Sequence, residues 1–199
     1  MKYEIVFSRQ CFADLASVGN FASGDSARPL LTGVFVRQNE RGEITATATD
    51  SYKLAVITRE AEELTGEFAP VIISADVLIR AAKAFKKAFK VTVSVEGDNV
   101  KISAPQFDDV YGCRVIDGKY PDVDSLIPNA GRINEFDGIT LNPWFLADVV
   151  KLAPWAETPK NGRGREGMTI ATMVDALRPI RIESSDARTV VALMPIRRN

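Results

Sequence analysis

Histidine is absent from the 199 residues. Its absence removes Ser-His and Cys-His nucleophile pairs, His-ligated zinc and the side chain that most often serves as general base near neutral pH. Cysteine is nearly absent. Cys11 and Cys113 are too few and too far apart for a disulfide framework or a thiolate metal site, and both read as buried thiols. No apolar run reaches membrane-spanning length and no basic, apolar signal pattern opens the chain, which predicts a soluble, cytoplasmic protein with no membrane contact. Charge of one sign is also missing, because 25 Lys and Arg stand against 26 Asp and Glu for a formal net charge of −1. Carboxylates remain, but Asp50, Asp117, Asp122 and Asp124 sit in turn-like contexts without catalytic spacing. The expectation is a protein that is not an enzyme, with no cofactor and no metal. Gly162, Gly164 and Gly167 fit a G-x-G-x-x-G spacing, yet the run follows Pro159 and precedes a strand-like segment. A dinucleotide site needs that turn between a strand and a helix, so a loop is the reading here, with Arg163 and Arg165 available to phosphate.

What is present begins with the stretch from Val71 to Lys90, VIISADVLIRAAKAFKKAFK, a short apolar strand running into a two-faced helix. Ser74 stands at the cap position, Asp76 lies in the first turn, and no Gly or Pro interrupts before Lys90. Leu78, Ala81, Phe85 and Ala88 mark a buried stripe. Arg80, Lys83, Lys87 and Lys90 repeat the same spacing on another face, with Lys86 beside them. Cations about 5 Å apart per turn approach the phosphate spacing of a nucleic acid. On a near-neutral chain such a patch concentrates attraction on one surface.

The chain repeats. Strand YEIVF precedes Ser8, VIIS ends in Ser74 and GITL precedes Asn142-Pro143, so three helix caps lie 66 and 68 residues apart. Apolar positions fall four, seven and eight residues after each cap: Phe12, Leu15 and Ala16, then Leu78, Ala81 and Ala82, then Leu146, Val149 and Val150. Three strand-like runs follow each helix, giving β-α-β-β-β units. Two such units pair into an α+β domain with both helices on one face and sheets on the other. Residues 1–128 form that domain and 129–199 a half-domain without its mate.

Three stretches carry a family resemblance. RPLLTG at 28–33 with ATDSYKLA at 48–55 resembles the bacterial sliding clamps, the DNA polymerase III beta subunits, which read L-N-G and then A-T-D-G-H-R-L-A. RVIDGKYPDVDSLIP at 114–128 is similar to the boundary between their second and third domains, and VVALMPIRRN at 190–199 to their C-terminus. The resemblance implies a homo-oligomeric ring around duplex DNA, bound without sequence readout through Arg80, Lys83, Lys86, Lys87 and Lys90. It also implies an outer groove for polymerase and clamp-loader peptides. Carried over position by position, the groove comprises Leu31, Thr49, Ser51, Tyr52, Lys53 and Leu54 from the first unit, Pro121 and Leu126 from the boundary, and Ala192, Met194, Pro195 and Ile196 from the tail.

Two departures stand out. Ser51, Tyr52 and Lys53 replace G-H-R, which changes the expected peptide preference. The clamps close a ring from twelve units, whereas three units here imply four subunits, a tetramer. Such a compact clamp, associated with the nucleoid, suits a virus or mobile element acting in a host cytoplasm. A lone half-domain would expose an open sheet edge and the helix side around Trp144, Phe145, Val149 and Leu152, so the same half-domain of a second chain is the expected cover. Two other classes remain open: a monomeric clamp mimic that sequesters polymerase or loader peptides, and a carboxylate-based hydrolase using Asp117 or Asp122.

Overall fold

The structure, a computed structural model, describes residues 2–127, 141–152, 168–171 and 179–196. Strand β1 (Lys2–Ser8) leads into helix α1 (Arg9–Ser17), where the Ser8 Oγ accepts a hydrogen bond from the Cys11 amide at 3.1 Å. Strands β2 (Gly33–Gln38), β3 (Ile44–Thr49) and β4 (Lys53–Arg59) follow. A short strand β5 (Glu63–Gly66), which the sequence pattern did not announce, precedes β6 (Val71–Ser74) and α2 (Ala75–Ala84). The second unit closes with β7 (Lys90–Glu96), β8 (Asn99–Ser103) and β9 (Val110–Arg114). The third contributes α3 (Pro143–Val149), β10 (Met168–Ala171), β11 (Ile180–Ser184) and β12 (Thr189–Leu193). The expected strand before Asn142, the glycine run with Arg163 and Arg165, and residues 197–199 lie outside the described residues.

The strands form two antiparallel sheets in which the first two units exchange their leading strands. β1 pairs with β7, Ser8 opposite Lys90 and Lys2 opposite Glu96, while β6 pairs with β2. One sheet therefore runs β5-β1-β7-β8-β9 and the other β10-β11-β12-β4-β3-β2-β6. The exchange follows from alternation: Tyr3, Ile5 and Phe7 of β1 are each 2% exposed and need the apolar faces of both units to cover them. Helices α1 and α2 pack on one another and on this core. Gly19 marks the contact, since a Cβ there would meet the Ile79 Cδ1 at 3.1 Å.

Several expectations need correction. Helix α2 stops at Ala84 rather than reaching Lys90, although Leu78, Ala81, Phe85 and Ala88 are all buried as read. Phe85 caps its end and drops edge-on against Phe107 and Tyr111, at 5.5 and 5.6 Å between ring centres, and the chain then turns so that Lys90 can open β7 opposite Ser8. Lys90 is thus a strand residue. Ser74 occupies the cap position of α2, but its side chain makes no capping hydrogen bond. Cys11 and Cys113 are free and only half-buried, because each lies on an element whose outer side meets solvent. In α3 and the turn after it, Val149 and Leu152 are buried while Leu146 and Val150 are exposed. The third unit also leaves no open edge at β12, which pairs with β4 from Leu193 opposite Lys53 to Thr189 opposite Ile57. Val149 and Leu152 are covered by the rest of the same chain as a result.

The strand exchange makes β1 the element on which one sheet depends. Ile5 lies between Leu64 of β5 and Val93 of β7. Ile5→Ala should therefore destabilise the protein by about 2–5 kcal/mol in urea unfolding, whereas Glu4→Ala on the exposed side should stay within about 0.5 kcal/mol.

Candidate functional site

The joint between β4 and β12 builds a concavity of about 200 Å³ on the face of the seven-stranded sheet turned away from the helices. One wall is the β3–β4 turn. Asp50 Oδ1 accepts from the amides of Tyr52 and Lys53 at 2.9 and 3.0 Å, and Thr49 Oγ1 accepts from Ser51 N and donates to the Lys53 carbonyl. Ser51 stands at the tip with φ +83, a conformation that favours glycine, and its Oγ accepts from Arg28 Nη1 at 3.1 Å. Leu54 and Ala192 form the apolar floor, and Leu31 lines the side. The far wall is the segment after β9, which crosses the same sheet face. Tyr120 stacks on Phe35 at 5.2 Å, and its hydroxyl accepts from the Thr49 amide at 3.2 Å. Burial pushes the Tyr120 hydroxyl up to about 12, with the Thr49 hydrogen bond opposing, so it stays a neutral prop at physiological pH. Arg37 grips Asp124 through both guanidinium nitrogens, at 2.7 and 2.8 Å, and sets Pro121 and Leu126 at the rim. Met194 continues the ladder, its amide donating to the Tyr52 carbonyl at 3.0 Å. Tyr52, Leu126 and Met194 are 61%, 58% and 37% exposed, an apolar rim of the kind that marks a docking surface.

Lys53 departs from this picture. Its side chain turns through the sheet toward the helices, where Nζ donates to the Asn20 carbonyl at 2.9 Å, pairs closely with Asp148 of α3 and lies 5.1 Å from the centre of the Phe21 ring. Burial works against the Asp148 carboxylate. Hydrogen bonds from Lys151 and Lys53, with their charges, outweigh it and hold Asp148 below the usual carboxylate range.

On the helix side, an open cleft of about 780 Å³ runs between α1 and α2 and ends at Val150 and Lys151, in the turn that follows α3, with Arg9, Lys83 and Lys86 along it. Lys83, Lys86 and Lys87 are exposed and make no ion pair among the described residues. Arg80 is tied to Asp76 at 2.9 Å. Lys90 is held by Glu62 at 2.8 Å and Glu63 at 3.6 Å, the Glu62 hydrogen bond raising its pKa. Among the described residues no group of acidic, cysteine or histidine side chains could hold a metal ion, and no helix is long and apolar enough to cross a membrane.

The family model for the DNA polymerase III beta subunit, central domain, matches residues 9–122. The chain belongs to the DNA polymerase III beta subunit family. A beta sliding clamp of Streptococcus pneumoniae serotype 4 is 32% identical over 110 residues, a match spanning 54% of this chain and 28% of that protein. One from Lactococcus lactis is 28% identical over 107 residues, spanning 51% of this chain and 26% of the relative. Among solved structures, the beta chain of Streptococcus pneumoniae TIGR4 superposes with a TM-score of 0.76 at 17% identity, covering 98% of this chain and 65% of that one. The Caulobacter crescentus sliding clamp gives 0.76 at 20% identity, with 98% and 65% covered. At such identities the likeness is one of fold. The chain spans only part of each relative's length.

Against that frame of the beta-subunit fold, Leu31, Thr49, Ser51, Tyr52, Lys53, Leu54, Pro121, Leu126, Ala192 and Met194 line one concavity. Pro195 and Ile196 follow Met194 outside the lining. Val123 and Pro179 line it as well and were missed in sequence: Val123 belongs to the same boundary run, and Pro179 gave no signal before β11 found its place. Of the five cations read on one helix, Arg80 and Lys83 lie on α2, Lys86 and Lys87 on the turn after it, and Lys90 on β7. Arg9 of α1 and Lys151 in the turn after α3, which share the cleft with Lys83 and Lys86, were not foreseen.

The Lys53–Asp148 pair joins β4 to α3 and should behave as a clasp. Lys53→Met leaves Asp148 with Lys151, whereas Asp148→Asn leaves the inner ammonium without its counter-charge, so the second should cost more, about 3 kcal/mol. Asp148 has a folded-state pKa below its unfolded value. Its contribution is therefore complete above about pH 4 and is lost as pH falls through the folded pKa. Faster proteolysis of the 141–152 segment in acid, absent in Asp148→Asn, is the expected readout.

Proposed function

We propose that this chain is a sliding clamp, a ring-forming processivity factor that encircles duplex DNA and tethers a replicative polymerase through the groove at the β4–β12 joint. The observation that carries the reading is the placement of two surfaces on opposite sides of one sheet. Leu54 and Ala192 face the groove, while the next residues along each strand, Ala55 and Val191, face the core beneath the helices and are fully buried. A peptide anchored on the outer side thus leaves the helix side, with Lys83, Lys86 and Lys87, open to a phosphate backbone. An apolar floor, a flexible methionine and polar turn atoms suit an extended peptide with Leu or Phe anchors. Tyr52 at the rim offers an aromatic edge to it. Lys83, Lys86 and Lys87 make no ion pair among the described residues, which suits sliding contacts that neutralise phosphates without reading bases.

In this reading residues 1–128 are a complete clamp domain and 129–199 a half-domain, four chains of 21.8 kDa close the ring, and the protein is not an enzyme and works in the cytoplasm on nucleoid or virus-borne DNA. A second reading shares the groove. Both groove walls come from one chain, so a monomer could capture polymerase or loader peptides as a clamp mimic. DNA-dependent function separates the two.

Lys83, Lys86 and Lys87 replaced together by Glu should abolish stimulation of a polymerase on primed circular DNA, with folding stability changed by no more than about 0.5 kcal/mol. Lys90→Glu should do less to stimulation, since Glu62 and Glu63 already hold that charge. Full stimulation by the triple variant would refute the assignment of the helix side.

Leu126→Ser with Met194→Ser should weaken binding of polymerase-derived peptides by about 2 kcal/mol or more, measured by calorimetry, and leave assembly intact. Unchanged affinity would move the peptide site elsewhere.

A further inference from the structure

The end of α2 and the turn after it read A-F-K-K-A-F-K, so the triplet A-F-K occurs at 84–86 and again at 88–90. The two phenylalanines have opposite fates. Phe85 is 1% exposed and meets Phe107 and Tyr111 edge-on, whereas Phe89 is 79% exposed, the most exposed large hydrophobic side chain among the described residues. A single surface phenylalanine is ordinary. This one is distinguished by its anchoring and by its neighbours. Before it, Ala88 is buried and its amide donates to the Phe85 carbonyl at 2.9 Å, and after it Lys90 opens β7 opposite Ser8. The Phe89 carbonyl accepts from the amide of Arg9, the first residue of α1, at 3.1 Å. The backbone is thus fixed on both sides while the ring is held out in solvent.

The neighbours are cationic. Lys86 and Lys87 stand in the same turn, exposed and without an ion pair among the described residues, and Lys86 also lines the cleft that holds Lys83 and Arg9. On the other side of Phe89 the charge is already neutralised, because Glu62 and Glu63 hold Lys90 at 2.8 and 3.6 Å. The ring therefore sits at a border, with free cations toward α2 and a paired one toward β5 and β7.

We propose that Phe89 is a stacking platform for an unpaired base, with Lys86 and Lys87 taking the phosphates beside it, so that this turn binds single-stranded nucleic acid. A closed duplex offers such a ring nothing, since its bases cover one another and it presents only phosphates and groove edges. An unpaired base exposes a flat apolar face. Every base has one, so the contact carries no sequence preference. The lysines supply the complementary charge for the backbone, and their lack of acidic partners favours a polyanion over an apolar protein surface as the occupant. The strand would run from Phe89 past Lys86 toward Lys83 and away from β7, where Glu62 and Glu63 repel phosphate. This goes beyond the duplex contact proposed above. It rests on the clamp reading only for the source of the strand, an unpaired stretch next to the encircled duplex.

The test is fluorescence anisotropy on the full chain with a labelled oligothymidylate of about 16 nucleotides, and with a blunt duplex of equal length for comparison. Phe89→Ser should weaken oligothymidylate binding about tenfold, the loss of one stacked base, and change duplex binding by less than about twofold. Phe89→Trp should keep the single-strand affinity, and oligothymidylate should quench its emission beyond the response of the native protein, in which Trp144 and Trp155 set the background. This quenching decides the matter if circular dichroism shows that Phe89→Ser does not fold. A native protein that does not bind oligothymidylate, equal affinity of the native and Phe89→Ser proteins for it, an equal loss for single strand and duplex, or Phe89→Trp emission indifferent to oligothymidylate would each overturn the inference. A native protein that binds oligothymidylate through Phe89 yet fails to stimulate a polymerase would support the inference and strike the clamp reading alone.

Discussion

The antiparallel ladder between β4 and β12 is the contact on which the rest depends. It joins residues more than a hundred positions apart, Lys53 to Leu193 and Ile57 to Thr189, and turns what would be two sheets into one of seven strands. Loop closure over such a separation costs entropy that only extensive burial repays. Val191 and Leu193 on β12 and Ala55 and Ile57 on β4 provide it, all fully buried. Because side chains alternate across a strand, the same ladder necessarily presents Leu54 and Ala192 on its other side. The groove floor is thus a by-product of the joint, and a register slip of one residue would invert both faces at once.

Charge follows the same two-sided logic. The acids that neutralise this chain overall are spent on particular cations: Asp14 on Arg59, Asp124 on Arg37, Asp148 on Lys53 and Lys151, Glu62 on Lys90. What remains unpaired among the described residues includes Lys83, Lys86 and Lys87, gathered at the end of α2. A near-zero net charge therefore coexists with a locally basic surface. Lys53 links the two sides, since its backbone shapes the groove turn while its ammonium reaches the helices and holds α3 in place.

The helix α3 shows how one pattern can have two outcomes. Its cap, its proline at the first helical position and its apolar spacing repeat those of a buried helix, and Val149 and Leu152 behave accordingly. Leu146 and Val150 do not, being 38% and 55% exposed where Phe12 and Ala16, at the matching places after the first cap, are buried.

Much of this was legible in the residues themselves. The alternation of β7 and β8, the Ser8 and Asn142 caps, the buried stripe Leu78, Ala81, Phe85 and Ala88, and the turn chemistry of Asp50 and Ser51 are local, and local pattern predicts local structure. The groove residues were legible by family resemblance, which compares residue types at fixed spacing. What the sequence could not decide was set at long range. Helix α2 ends at Ala84 because Phe85 is claimed by Phe107 and Tyr111, two residues from a different part of the chain. Lys90 leaves the basic row because Ser8 fixes where β7 begins. β5 exists because β1, exchanged into the second unit's sheet, offers it an edge. Val123, Pro179 and Lys151 join their sites only once distant strands and helices are brought together, since packing free energy, unlike propensity, belongs to pairs of elements.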